Sequence, residues 1–178
     1  SYVVSTIRFG GTLEVADVEL GPDDDLASVL SLLDSGSSIK LTPGVFEVDI
    51  SMPVQRDIVI VGAGSGETVI ESSSPDAAFA VFGDGKLTLR ELTVAHVGDA
   101  PASIILAFGA PIDIERVTLT GGINDDETTG GNGVLLSSGV VNEEGVTAAA
   151  LEGSVTTESS RIIDTEITDN SIAGIAIM

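Results

Sequence analysis

The densest row of potential metal ligands is the segment G-G-I-N-D-D-E-T-T-G-G-N-G, residues 121–133, where Asn124, Asp125, Asp126 and Glu127 follow one another between glycines. Three carboxylates and an amide offer only oxygen donors, and oxygen-rich sets suit hard cations. The ion this row would hold is Ca2+, the one cofactor for which the sequence supplies ligands. The spacing is not the D-x-[DN]-x-[DN]-G of calcium loops, and the same residues also make an ordinary polar turn. His96, in T-V-A-H-V-G-D, is the one histidine. Imidazole can pass protons near neutral pH, although a lone histidine in a turn is usually inert. A second acidic run, Pro22-Asp23-Asp24-Asp25, precedes an apolar helical pattern and reads as a helix cap facing the dipole. No catalytic residue is assigned.

Charge and composition exclude several chemistries. There are 28 acidic and 7 basic residues, for a net charge of −21. Neutralising nucleic-acid phosphates is therefore excluded, and an anionic membrane surface would repel the chain. With no cysteine, disulfides, thiolate metal sites and cysteine catalysis are excluded. The content of 43% hydrophobic residues argues for a buried core rather than disorder. No apolar run approaches the roughly 18 residues of a membrane-spanning helix. No signal peptide is visible, and the chain opens at Ser1. Lysine is confined to Lys40 and Lys86, and such an acidic surface stays soluble in concentrated salt. A halophilic or marine setting is one expectation, and an ordinary acidic soluble protein the other.

The elements that must position these residues are mostly strands. K-L-T-L-R-E-L-T-V at 86–94 and P-I-D-I-E-R-V-T-L at 111–119 alternate apolar and polar residues with period two, and D-I-V-I-V-G at 57–62, with isoleucine at every second position, reads with them, as strands with one buried face do. One stretch reads as helix, about 25–34, with Leu26, Val29, Leu30 and Leu33 at helical spacing, Asp24 or Asp25 as cap and Gly36 to end it.

Repeats organise the strands. Leu87, Leu89, Leu92 and Val94 align with Ile112, Ile114, Val117 and Leu119. Looser copies place Val141 and Val146 at the first and third positions, and Ile162 and Ile167 likewise. A second strand follows each unit. Constant strand motifs at an uneven period point to a solenoid with insertions in its loops. The expected fold is all-β: a right-handed parallel β-helix of about five to six coils over residues 21–178, with an N-terminal capping helix. Residues 1–20 read as two short strands, paired along the first coil or belonging to a preceding domain. Met178 follows a strand directly. The expectation is a fragment, its last coil covered by further coils or by another subunit.

Residues 38–72, with the turn Pro43-Gly44-Val45-Phe46 and the spacing of Ile58, Ile60, Gly62, Gly64, Thr68 and Ile70, resemble the opening of the pectate-lyase-like right-handed β-helix superfamily. Ile167, Asn170, Gly174, Ile175 and Ile177 are similar to its generic coil. The resemblance implies a groove for polysaccharides. It implies Ca2+ held by aspartates and an arginine or lysine base in lyases, for which Arg90, Arg116 and Arg161 are the candidates, or paired carboxylates in hydrolases. In so acidic a chain, an arginine is more often the partner of an acid such as Glu91 or Glu115. The family's catalytic signatures are absent, and Tyr2 and five phenylalanines are the only aromatics to stack sugars. The sequence therefore points to a non-catalytic scaffold, adhesion or partner-binding module of a larger acidic protein, extracellular or at the cell surface, with a polysaccharide or protein partner. The alternative is the N-terminal part of a polysaccharide lyase or glycoside hydrolase acting on an extracellular polymer.

Overall fold

A computed structural model describes residues 3–4, 17–124, 130–137, 140–142, 145–147 and 160–178. The chain starts with β1 (Val3–Val4), β2 (Asp17–Leu20) and α1 (Leu26–Leu32). Strands β3 (Ser37–Leu41), β4 (Gly44–Val48), β5 (Met52–Val54), β6 (Ile58–Val61), β7 (Thr68–Ser72) and β8 (Ala77–Phe82) follow. Next come β9 (Leu87–His96), β10 (Ser103–Phe108), β11 (Ile112–Thr120), β12 (Asn132–Ser137), β13 (Val140–Asn142) and β14 (Gly145–Thr147). The chain closes with β15 (Arg161–Ile163), β16 (Glu166–Thr168) and β17 (Ala173–Ile177).

These strands form a ten-stranded sheet along β1-β2-β3-β6-β9-β11-β15, with β4, β7 and β16 branching from it, and a five-stranded sheet ordered β17-β12-β10-β8-β5. Apart from the β1–β2 pair, pairing within both sheets is parallel. From β7 onward the chain passes repeatedly between the two sheets, and their inner faces share one apolar core.

Alternation of β-branched and polar residues sets which side chains enter that core. Ile39, Ile60, Leu89 and Ile114 stand in register on β3, β6, β9 and β11. Phe46, Ile70, Val94 and Leu119 form a second row through β4, β7, β9 and β11. Phe79, Ile105 and Val134 make the row of the smaller sheet. All are fully or almost fully buried. The repeat read from sequence is the register observed: Leu87 pairs Ile112, Leu89 pairs Ile114, Leu92 pairs Val117 and Val94 pairs Leu119.

Asp25 caps α1. Its carboxylate accepts from the Ser28 N–H at 2.9 Å and the Ser28 hydroxyl at 2.6 Å. Leu26 and Leu30 are buried, and the helix packs on β4 and β5.

The expected right-handed parallel β-helix of five to six coils is corrected. The described strands make two separate parallel sheets with one short helix, and no strand hydrogen-bonds from one sheet to the other, so no closed solenoid forms. Parallel pairing is the feature shared with α/β-type folds, whose crossovers are usually helical. Here only the β2–β3 crossover runs through a helix, α1, and the other crossovers between parallel-paired strands of the larger sheet run through other strands.

The regular repeat also breaks. Strand β11 bonds directly to β15 and β16, so the unit at 141 adds no strand between them. Val141 and Val146 instead face each other in an antiparallel two-stranded sheet, β13–β14. So short a separation allows only an antiparallel return. Ile162 and Ile167 are displaced by one apolar position from the expected alignment, pairing with Ile114 and Leu119.

Candidate functional site

The three candidate arginines lie on the outward side of β9, β11 and β15, where parallel register places opposite charges side by side. Arg90 neighbours Glu115, and Asp113 neighbours Arg161. The Arg90 Nε lies 3.6 Å from Glu115 Oε2, an ion pair longer than a hydrogen bond. Arg161 reaches Asp113 at 3.2 Å and Glu115 at 3.5 Å. Arg116 donates to both Glu91 and Glu115. These hydrogen bonds, first that to Glu91 and then that to Glu115, raise the Arg116 pKa above its ordinary value. A proton-abstracting arginine must be neutral, and each carboxylate beside it favours the cation. The arrangement therefore works against Arg116 as a base.

Of the candidate Ca2+ ligands, Asp125, Asp126 and Glu127 lie outside the described residues. Asn124 is described and holds the neck of that segment. Its amide Nδ2 donates to the Gly130 carbonyl at 3.2 Å, and its backbone N–H donates to the Ser171 hydroxyl at 2.8 Å. Beside it, Ile123 and Ala102 form an antiparallel bridge whose Ala102 carbonyl also accepts from Gly131. Among the described residues, no group of three or more histidine, aspartate or glutamate side chains is placed to hold a metal ion.

His96 ends β9 with its ring buried, Nε2 lying 2.9 Å from the Ala100 carbonyl. That contact makes Nε2 the donor, and the buried Nδ1 has no hydrogen-bond partner. The imidazole ties a turn to its strand and presents no face to a substrate.

A groove of about 800 Å³ opens between the residues leading into α1 and the outward side of β4 and β7. Its lining includes the exposed large apolar residues Val45, Ile50 and Val97, which are 43%, 55% and 55% exposed. Asp23, Glu47, Asp49 and Glu71 supply carboxylates around them. Two further rim acids have structural duties: Asp24 accepts the Gly21 N–H at 2.8 Å, and Asp25 caps α1. The groove was not anticipated from sequence. Its signal was present in V-F-E-V at 45–48 and V-I-E-S at 69–72, where a glutamate follows an inward apolar residue. Aligning Phe46 with Ile70 brings Glu47 beside Glu71, the register found.

No protein-family model matches the chain, and neither a curated protein nor a solved structure does. Nothing among these comparisons identifies the pectate-lyase-like superfamily. No helix among the described residues is long and apolar enough to cross a membrane.

Proposed function

We propose that this chain is a non-catalytic scaffold that displays a partner-binding surface, as a module of a larger acidic protein working at or outside the cell surface. Its partner is a protein or a polysaccharide. The observation supporting this reading is the mutual pairing of Arg90, Arg116 and Arg161 with Glu91, Asp113 and Glu115. Glu91 and Glu115 favour the charged form of Arg116, and the carboxylates a hydrolase would need for its own chemistry are engaged with the arginines. The acidic, half-apolar groove offers contact area without an assembled set of reacting groups.

The test is a turnover assay on a panel of pectate, alginate and neutral polysaccharides, with and without Ca2+. Lyase products absorb in the near ultraviolet through a new double bond, and hydrolase products carry new reducing ends. The expected result is no turnover above buffer. Turnover abolished by Arg116→Ala or Arg90→Ala would overturn the reading and establish an enzyme.

A further inference from the structure

We infer that the groove between α1 and the β4–β7 face receives a basic, amphipathic segment of a protein partner. Such a segment lays apolar side chains on Val45, Ile50 and Val97 and sets lysine or arginine side chains against Glu47 and Glu71. The inference rests on the scaffold reading and gives the partner its chemistry.

Cross-strand charge carries the argument. In every other described strand pair where charged residues are register neighbours, the signs are opposite: Glu19 with Lys40, Arg90 with Glu115, Asp113 with Arg161. Glu47 and Glu71 are register neighbours on β4 and β7, and both are negative. Strands in a sheet lie about 4.8 Å apart, and like charges so placed are destabilising. Among the described residues neither glutamate has an ion-pair partner. The third strand places Ala95 beside Glu71, so no cation arrives from that side. The positive charge that accompanies Glu19, Glu91 and Glu115 is missing from this like-charged pair, and a partner can supply it.

Apolar exposure points to the same place independently. Val97 is distant in sequence from Val45 and Ile50, yet the exposed side chains of all three line one groove. A bare cation would need neither this apolar lining nor about 800 Å³ of space, a volume that holds several side chains. A second copy of a chain with net charge −21 would be repelled, whereas a basic segment is drawn in by the same field.

Fluorescence anisotropy with the whole chain tests this, using three labelled peptides of equal length: alternating Lys-Leu, alternating Lys-Ser and alternating Glu-Leu. Lys-Leu should bind best. The double substitution Glu47→Gln/Glu71→Gln should weaken it about tenfold, and Val97→Ser should weaken it as well. Asp164→Asn/Glu166→Gln removes as much charge from exposed positions around β16 and should leave binding unchanged. The inference is overturned if Lys-Leu does not bind, if Lys-Ser binds equally well, or if both double variants weaken binding equally. A stability measurement needs no peptide. Glu47→Gln should raise the melting midpoint at low salt, and a fall would remove the like-charge argument. Polysaccharide turnover would defeat the scaffold reading without altering these results, and absent Lys-Leu binding would remove the groove while leaving that reading in place.

Discussion

Glu91 on β9 and Arg116 on β11 occupy equivalent places in successive repeat units, and both adopt left-handed backbone at φ 54°. Asp164 continues the row at φ 48°. Each residue lies between the two inward pairs of its unit, where the chain turns from one run of pairing to the next. The turn directs the Arg90 and Glu91 carbonyls at Gly62 and Gly64, which donate at 2.9 and 2.8 Å. A Cβ on Gly62 would lie 2.3 Å from the Glu91 carbonyl oxygen, so glycine is required there for close backbone approach.

A side chain at Glu91 therefore carries a backbone cost that glycine would not. Replacing Glu91 by alanine or by glycine removes the same ion pair to Arg116, so the difference isolates the backbone. The glycine variant should be the more stable by roughly 1 kcal/mol, or about 2–4 °C in melting midpoint for a chain of this size. Thermal melts of the two variants decide it. An alanine variant as stable as the glycine variant would mean that the left-handed turn is not kept in solution.

The same left-handed row explains why one register was legible in the sequence and another was not. Units 87–94 and 112–119 share four apolar positions, enough to fix a unique alignment. In R-I-I-D-T-E-I-T only Ile162 and Ile167, five residues apart, were aligned. Ile112 to Val117 and Ile114 to Leu119 are also five apart, so two registers fit equally well. The turn position selects between them. The observed register puts Asp164 there, and the alternative would put Glu166. Aspartate tolerates left-handed backbone better than most residues. Cross-strand periodicity tells which rows are neighbours, but not whether two sheets join at their edges, and the expected closure into a solenoid failed there. The arginine pairing with Glu91 and Glu115 was legible because those charges lie within neighbouring repeats. The Glu47–Glu71 register was present in the sequence but the groove as a whole was not legible, because Val97, after the end of β9, reaches Val45 and Ile50 only in the folded chain.

Asp25 provides a pH handle on α1. The Ser28 hydroxyl and then the Ser28 N–H favour its charged form, lowering its pKa from the ordinary 3.8. A carboxyl with a lowered folded pKa contributes stability that is fully present above the unfolded value and is lost as pH falls through the folded value. Asp25→Ala should therefore melt below the parent at neutral pH. The gap should narrow only as pH drops through and below the ordinary carboxylate value. Melts of both proteins from pH 7 to acid check this, and a gap that stays constant through that window would show that the carboxylate charge adds nothing to the cap.

Salt should act in the opposite sense to its usual effect on a protein held by surface ion pairs. The ladder of Arg90, Arg116 and Arg161 is exposed enough for salt to weaken it, and exposed pairs contribute little each. Against it stand 28 acidic residues and only 7 basic ones, so most carboxylates have no cation to meet. Their mutual repulsion is a property of the folded chain, which concentrates the charge, and is screened within about 10 Å at 0.1 M salt. The melting midpoint should rise from low to molar NaCl. The double variant Glu47→Gln/Glu71→Gln should start higher and rise less, because its like-charged register pair is already gone. A midpoint that falls with NaCl would mean that the arginine ladder outweighs the excess negative charge.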